Sequence, residues 1–333
     1  MTATREAVRF ALAGVLRGRA RRSAASAGAV LVYHRIGPAA ATPDVEVDPG
    51  VLPEGFAGQL EHLRRHYRIV PASGILDATR ARRRGHPFPV AITFDDDLSS
   101  HVYEARPALR RAGVPATFFL CGASLWEAHT FWWEDLQRAI DGRLVQPNAL
   151  PHVPDTDLAA ALERVPFAIR RVASAIERLE PARRAEVAAA LSAAAGPAPA
   201  YSGIRASGVR AFVEAGCEVG FHTLRHDALP GLTDAELAEA LREGRDHLAA
   251  AAGRPLKLVA YPHGKGDQRV AEAARTAGFE LGFTTAERMV DPDTDPYLVP
   301  RIAPAPSPGG LALQLARAFA NRAREPSNFG SSV

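Results

Sequence analysis

The chain has 333 residues, of which 47% are hydrophobic and 23% charged, so it holds enough apolar material for one large globular core. The net charge of +3 comes mostly from arginines dispersed along helical stretches, which is typical of a solvated surface and argues against a nucleic-acid partner. With two cysteines, neither a disulfide framework nor a thiolate metal site is expected, and any metal must be bound by histidine and carboxylate.

The first 28 residues form a basic, alanine-rich segment. Its apolar patch, Val8 to Leu16, is too short to span a membrane, and arginines follow where a signal-peptide cleavage site should lie. We therefore expect no signal peptide and no transmembrane segment, and a location in the cytoplasm or at the cytoplasmic membrane surface. The segment is either a basic amphipathic helix resting on an anionic membrane, or a solvated helix or disordered arm.

Strand and helix patterns alternate along residues 29–302, which we expect to fold as one domain. Short apolar runs with β-branched residues predict strands, and runs with helical spacing lie between them. This order implies parallel strands with active-site loops at their carboxyl ends, in a barrel or a doubly wound sheet. The predicted strands are 29–32, 67–70, 90–94, 115–120, 217–221, 256–260 and 281–284, with the segment 298–302 completing the core.

The alternation lapses at about residues 127–200, where Ala, Arg and Glu recur with helical periodicity. We interpret this stretch as a helical subdomain inserted into the barrel. The rings of Trp132 and Trp133 either anchor the insert, which we favour, or stack on the CH faces of a sugar. One continuous helix is predicted over 233–252, and the tail 303–333 is expected to be helical and then disordered.

The strand 90–94 leads into three consecutive carboxylates, Asp95, Asp96 and Asp97. They repel one another and are costly to bury unless a cation or a proton holds them. One aspartate at this position could simply cap the next helix. Three of them after a buried strand indicate a metal or catalytic site.

Two histidines, His222 and His226, follow the strand 217–221. Imidazoles four residues apart can converge on one cation, either along a helix or across a tight strand-to-loop turn. Because no Glu follows the first histidine, this is not the helical zinc-protease motif. With a carboxylate from 95–96, the pair makes a ligand set for Zn²⁺ or another first-row divalent ion, with positions open to water and substrate.

A further strand-end histidine, His34, lies in Tyr33-His34-Arg35. Strand ends are where α/β proteins place their sites, although a histidine such as His34, taken by itself, more often has a structural role. The strand 256–260 ends in a similar turn, Tyr261-Pro262-His263-Gly264.

With these motifs, the chain resembles the polysaccharide deacetylase family, carbohydrate esterase family four, over roughly residues 30–302. The resemblance rests on Thr93-Phe94-Asp95-Asp96 and His222-Thr223-Leu224-Arg225-His226 at this separation. It implies a distorted parallel (β/α) barrel of about seven strands and an enzyme that removes N- or O-acetyl groups from sugars. Asp95 would be the catalytic base. The expected ligands of one divalent ion, zinc with cobalt, nickel or iron as alternatives, are Asp96, His222 and His226.

Three departures from the family pattern matter. Asp97 stands where the first motif usually has Gly, and the turn 261–264 lacks the Arg that usually steadies the base. No Leu-x-His occurs near the C-terminus, where the family's acid histidine lies and where this chain offers only Arg301. Tyr33-His34-Arg35 instead resembles a branch of biofilm poly-N-acetylglucosamine deacetylases with an N-terminal acid, so His34 is the expected acid and exopolysaccharide biosynthesis the expected context.

The expected chemistry combines the metal with two side chains. The ion would polarise the acetyl carbonyl and lower the pKa of a bound water, Asp95 would accept the proton of that water, and His34 would protonate the departing amine. A carboxylate partner, Asp97 or Glu46, is expected to hold the pKa of His34 near neutrality. A backbone N–H near Tyr261 is expected to help stabilise the oxyanion.

The expected partner is an acetylated glycan or glycoconjugate. Two other functions stay open, a catalytically inactive barrel that binds glycan or metal, and a metal-dependent hydrolase of a small amide or phosphate. Asp97 is the substitute base and His263 the substitute acid. The residues expected to contact substrate are Tyr33, Arg35, Trp132, Tyr261, Pro262 and His263.

Overall fold

A computed structural model describes residues 2–37 and 43–323. The strands are β1 (Ala29–Tyr33), β2 (Arg68–Ile69), β3 (Pro89–Asp95), β4 (Thr117–Leu120), β5 (Glu218–Phe221), β6 (Leu258–Ala260) and β7 (Leu281–Phe283). The α-helices of the barrel are α1 (Thr2–Arg21), α2 (Pro53–His66), α3 (Ile75–Arg80), α4 (Arg106–Ala112), α9 (Ala206–Glu214), α10 (Asp234–Ala240), α11 (Arg245–Ala252), α12 (Gln268–Thr276) and α13 (Pro308–Arg322). Those of the insert are α5 (Trp132–Asp141), α6 (Asp155–Leu162), α7 (Ala168–Glu177) and α8 (Pro181–Ala195).

The seven strands form one curled sheet in which every strand pair is parallel. Its order is β1-β3-β4-β5-β6-β7, with β2 paired to the start of β3. The segment 298–302 bridges the two edges, because Val299 pairs with Phe283 of β7 and Ile302 pairs with Leu31 of β1. The prediction of a distorted parallel barrel of about seven strands is confirmed.

The register brings the predicted site residues to one edge of the sheet. All seven residues of β3 are buried, and its Phe94 stacks between Phe118 of β4, at 4.7 Å, and Tyr33 of β1, at 5.4 Å. Since parallel strands present their carboxyl ends together, Asp95, the residues after β1 and the residues after β5 meet there.

The four insert helices have an apolar core of their own, which includes Leu136, Val172 and Leu191. Gln137 of α5 fastens the insert to the barrel, since its amide donates to Val45 O and its carbonyl accepts from Val47 N. The helices lie inside the predicted stretch of about 127–200. The limits of the predicted segments 1–28, 29–302 and 303–333 stay predictions.

The prediction of one helix over 233–252 is wrong, because α10 ends at Ala240 and α11 begins at Arg245, directly after Gly244. Gly244 has a φ of 77°, in the left-handed region where residues with a Cβ are strained. A Cβ there would also lie 3.2 Å from the Cβ of Leu224, which belongs to the loop between His222 and His226. The break therefore makes room for the loop that carries the two histidines.

The N-terminal segment is a helix packed on the molecule, which excludes the disordered arm for residues 2–21. Ala13 of α1 packs against Ala312 and Ala316 of α13, and the Glu6 carboxylate accepts from Ser307 Oγ and Gly309 N at the start of α13. In the described part of the chain, no helix has the length and apolarity to cross a bilayer. Peripheral membrane contact and the cytoplasmic location stay predictions.

Candidate active site

A cavity of about 280 Å³ lies at the carboxyl edge of the sheet, below the insert. Residues at the ends of the strands line its base, and Trp132, Trp133 and Glu177 of the insert line its other side. The residues that the sequence assigned to chemistry or metal binding all line it: His34, Asp95, Asp96, His222 and His226.

Three of these residues converge as a ligand set. The ligand atoms of Asp96, His222 and His226 lie within 4.8 Å of one another. The Asp96 Oδ1 atom is 3.5 Å from His222 Nε2 and 3.3 Å from His226 Nε2. Asp96 and His226 both have positive φ values, 75° and 54°. Such strain costs of the order of 1–3 kcal/mol per residue and is typical of functional sites, where the surrounding fold holds it.

The donor set fits a divalent cation. Asp96 Oδ1 is buried and makes no hydrogen bond among the described residues, a costly state that a bound cation would relieve. His222 Nδ1 is 2.8 Å from Ala260 O, and since a carbonyl only accepts, this nitrogen carries the proton and leaves Nε2 as the metal-binding atom. Burial lowers the pKa of His222 to about 4, which favours the neutral imidazole that metals bind.

Asp95 is held by a cation that the sequence analysis missed. The fully buried Arg301 donates from Nη1 and Nη2 to the two Asp95 oxygens, both at 2.6 Å, and from Nε to Thr284 O at 3.1 Å. Burial alone would raise the pKa of Asp95, but Arg301 and then His222 lower it, and the net direction is down. The carboxylate is therefore ionised and fixed in orientation.

Arg301 thus takes the place of the arginine that the turn 261–264 lacks. The sequence feature that could have identified Arg301 is its position as the single arginine in the otherwise apolar run Leu298-Val299-Pro300-Arg301-Ile302. An arginine is almost never fully buried without a partner, so one inside a core segment indicates a buried carboxylate elsewhere.

Asp97 points away from the cavity and fastens the loop after β4. Its buried carboxylate accepts from the backbone N–H groups of Cys121, Gly122 and Ser124 and from Ser124 Oγ, at 2.9–3.3 Å. The expectation that Asp97 supports His34 is wrong, and its position does not favour it as the substitute base.

We therefore expect Asp97→Ala to lower the free energy of unfolding. Removing the acceptor leaves several buried donors unpaired, and the loss should be about 2–4 kcal/mol. Urea denaturation followed by circular dichroism measures it. Wild-type stability combined with lost turnover would instead return Asp97 to the list of candidate bases.

His34 lies in the cavity, and its backbone carbonyl accepts from His101 Nε2 at 2.7 Å. Burial alone would lower the pKa of His34, but the carboxylates of Asp48, Asp96 and Asp95 outweigh burial and raise it. Glu46, the other expected partner, is bound to Arg35 at 2.7 Å. Asp48, which the sequence analysis missed, is the leading partner instead.

Of the six residues expected to contact substrate, two line this cavity and four do not. Trp132 and His263 line the cavity, and the rings of His263 and His226 are 4.7 Å apart. Tyr33 is buried with its hydroxyl donating to Gln59 Oε1 at 2.9 Å, so its assignment to substrate is wrong. Pro262 is buried, and Arg35 lines a neighbouring cavity.

Tyr261 is also wrongly assigned to the substrate. Its hydroxyl donates to Tyr297 O at 2.8 Å, and its backbone N–H donates to Phe283 O at 3.0 Å within the sheet. That N–H is therefore not available to an oxyanion. Glu177 lines the cavity without having been assigned to it from the sequence, and Trp133 lines it as well, as the less favoured alternative of a sugar-stacking ring required.

Solved structures with similar folds include several deacetylases. A Streptococcus pyogenes deacetylase, PplD, solved with acetate, is 16% identical, with a TM-score of 0.58 over 88% of this chain and 98% of that one. IcaB from Ammonifex degensii is 20% identical, with a TM-score of 0.56 over 89% and 98%. A de-N-acetylase from Aggregatibacter actinomycetemcomitans is 14% identical, with a TM-score of 0.53 over 83% and 94%.

Sequence comparison leads to the same family. No curated protein matches the chain. Residues 82–282, which contain Asp95, Asp96, His222 and His226, match the family model for polysaccharide deacetylase. Because this match spans more than half of the chain, the protein belongs to the polysaccharide deacetylase family, carbohydrate esterase family four, and is an enzyme that acts on the acetyl groups of carbohydrates.

Proposed function

We propose that this enzyme is a metal-dependent hydrolase that removes N-acetyl groups from a glycan, with Asp95 as base and His34 as acid. The observation that carries the proposal is the convergence of Asp96, His222 and His226 beside a carboxylate held by Arg301. Zinc is the proposed ion, with cobalt, nickel or iron as alternatives, because a His₂–carboxylate set with open positions suits these ions.

Asp96, His222 and His226 would hold the ion, which when bound polarises an acetyl carbonyl and acidifies a water molecule. Asp95 would accept the proton of the attacking water. Its ion pair with Arg301 fixes the direction of its lone pairs and makes it a weaker base than a free carboxylate, so orientation rather than basicity is its advantage.

His34 would donate the proton that the departing amine needs. An amine leaves an sp³ carbon of the tetrahedral adduct only after its nitrogen is protonated, so the acid must be charged at the working pH. The Asp48 carboxylate favours that charged form. His263 is less suited, since burial and then His226 lower its pKa to about 3.

Replacing His34 by Ala is expected to lower kcat on an N-acetylated sugar by about 10²–10⁴, the range for loss of a general acid. The loss should be much smaller on 4-nitrophenyl acetate, whose leaving group departs without a proton. Metal content, measured on the same preparation, should be unchanged. Equal losses on both substrates would assign His34 to binding or structure, and His263→Ala would then be the next variant to compare.

The overall proposal is tested by measuring acetate release from a panel of glycans. N-acetylated, O-acetylated and unacetylated glycans are compared with small N-acetyl amides at equal acetyl concentration. We expect release from N-acetylated glycans above all. Release only from small amides would indicate a small-molecule amidase, and glycan binding without release would indicate an inactive glycan-binding barrel.

A further inference from the structure

The outward side of α1 carries an apolar stripe that is exposed to solvent. Val8, Leu12 and Val15 are 53%, 48% and 66% exposed, and their spacing of four and three residues places them on one face of the helix. Of the eleven large apolar side chains that are exposed among the described residues, four lie in this one helix. Single exposed apolar side chains are ordinary, whereas a contiguous group of them marks a binding surface.

A different side of α1 holds the helix on the barrel. Ala13 and Ala20 are buried, and Leu16 packs against the small cluster that Ala13 forms with Ala312 and Ala316 of α13. Positions 13, 16 and 20 therefore make up the inward face, again at helical spacing. Because the exposed stripe lies outside this interface, the packing of α1 does not explain why the stripe is apolar.

Arginines stand at both ends of the stripe. Arg5 lies three residues before Val8, and Arg19 and Arg22 lie four and seven residues after Val15, so the arginines continue the line of the stripe. All three arginines are exposed. In the part of the chain that the structure describes, their side chains have no ion pair and no hydrogen bond. Their charges are therefore available to an anionic partner.

The acidic side chain of α1 does not neutralise this face. Glu6 is the one acidic residue of the helix, and its carboxylate accepts from Arg9, Ser307 and Gly309 where α1 meets α13. The charge of Glu6 is therefore taken up within that contact. The outward face combines exposed apolar side chains with unpaired cations, which is the pattern of helices that lie in the interface of a membrane.

We infer that this face of α1 binds the surface of a membrane that contains anionic phospholipid. The apolar side chains enter the boundary between headgroups and acyl chains, and the arginines reach the phosphates at the same level. A cavity of about 260 Å³ beside the stripe is lined in part by Arg19 and Arg22, which offer two guanidinium groups to one headgroup. The inference concerns where the enzyme is held and is independent of the reaction proposed above.

A second copy of this chain fits the face less well. Two such stripes could meet in a parallel or an antiparallel arrangement, and in both the arginine ends of one copy lie against the arginine ends of the other. Like charges placed together in this way oppose association. A polyanion such as a nucleic acid would pair with the arginines but leave the apolar centre uncovered. Anionic phospholipid satisfies both parts of the face.

The test measures binding of the full chain to vesicles by co-sedimentation. Vesicles of phosphatidylcholine alone are compared with vesicles that contain about one-third phosphatidylglycerol, at low and at high salt. We expect binding to the anionic vesicles to be at least about tenfold tighter and to weaken with salt, since each arginine near an anionic surface contributes about fivefold in affinity. No binding to either vesicle, or equal binding to both, would overturn the inference.

A double variant tests the apolar centre of the stripe. Leu12→Gln with Val15→Gln keeps the charge of α1 and should weaken vesicle binding at least about tenfold, because less apolar surface is buried in the bilayer. Leu144→Gln with Val165→Gln is the matched control, since these side chains are 50% and 40% exposed and lie in loops of the insert. Unchanged binding in the α1 variant, or an equal loss in the control, would contradict the assignment of the face.

A triple variant tests the charges, Arg5→Gln, Arg19→Gln and Arg22→Gln. Binding to the anionic vesicles should fall about 100-fold, from about fivefold for each arginine. The matched control removes three exposed arginines from α4 and α9, Arg110→Gln, Arg111→Gln and Arg210→Gln. Both variants lower the net charge by the same amount. An equal loss in the control would show that net charge rather than this face attracts the membrane, and would overturn the inference.

Sedimentation velocity without vesicles tests the second copy as the occupant. We expect the wild type and the Leu12→Gln, Val15→Gln variant to have the same oligomeric state. A wild-type dimer that this variant dissociates, with no vesicle binding, would assign the stripe to a second copy. Acetate release in solution should be unchanged in the variant, because neither residue lines the catalytic cavity. Vesicle binding without acetate release would support this inference and contradict the proposed function.

Discussion

Replacing Asp95 by Asn is expected to abolish deacetylation while the metal stays bound. An amide cannot accept a proton at neutral pH, so turnover should fall by at least about 10²–10⁴, the contribution of a general base. Zinc content should stay near wild type, because Asp96, His222 and His226 are unchanged. Acetate release and elemental analysis of one preparation test both halves of the prediction.

The variant also tests the buried ion pair. Without the carboxylate, the fully buried Arg301 faces a neutral amide, and breaking such a pair from one side typically costs about 3–5 kcal/mol. Stability is therefore measured alongside activity. The double variant Asp95→Asn, Arg301→Met removes the uncompensated charge and should recover part of the stability without any activity. Turnover near wild type in the single variant would assign the base elsewhere.

Replacing His222 by Ala is expected to remove most of the bound metal. Each of the three residues would supply one protein bond, so affinity should fall by more than the roughly 10–100-fold that follows loss of an outer-shell partner. His62→Ala is the matched control, since it removes a buried histidine that packs against Phe10 of α1 and against Tyr67, the residue that follows α2. Metal content after dialysis against a weak chelator measures the difference.

The result expected is low occupancy in His222→Ala and full occupancy in His62→Ala, both with wild-type circular dichroism. Full occupancy in His222→Ala would mean that the ion binds through other residues. If the zinc-free His222→Ala variant also loses secondary structure, metal binding is coupled to folding. Its low zinc content then reflects that coupling as well as the loss of one ligand.

The barrel and the central site residues could be predicted because their signals are local. Apolar runs that alternate with helical periodicity specify parallel strands, and the ends of those strands meet at one edge. In the sequence, Asp96 directly follows Asp95, and His226 lies four positions after His222. A linear pattern therefore reveals each pair. The roles of these residues remain proposals.

The errors concern side-chain direction and distant partners. Tyr33 precedes His34 in an extended segment, where successive side chains point to opposite faces, so it packs into the core while His34 faces the cavity. Arg301 is 206 positions from Asp95, and no local pattern links the two. Asp97 follows two site residues but turns toward the loop after β4.

The account is tested most directly by titrating the metal-free enzyme with zinc and following acetate release from an N-acetylated glycan. If Asp96, His222 and His226 form one site that supports hydrolysis, chelated enzyme should be inactive and activity should rise linearly to a break at one equivalent of zinc. Full activity in the chelated, metal-free enzyme, or a break at two equivalents, would contradict a single metal site at the centre of the reaction.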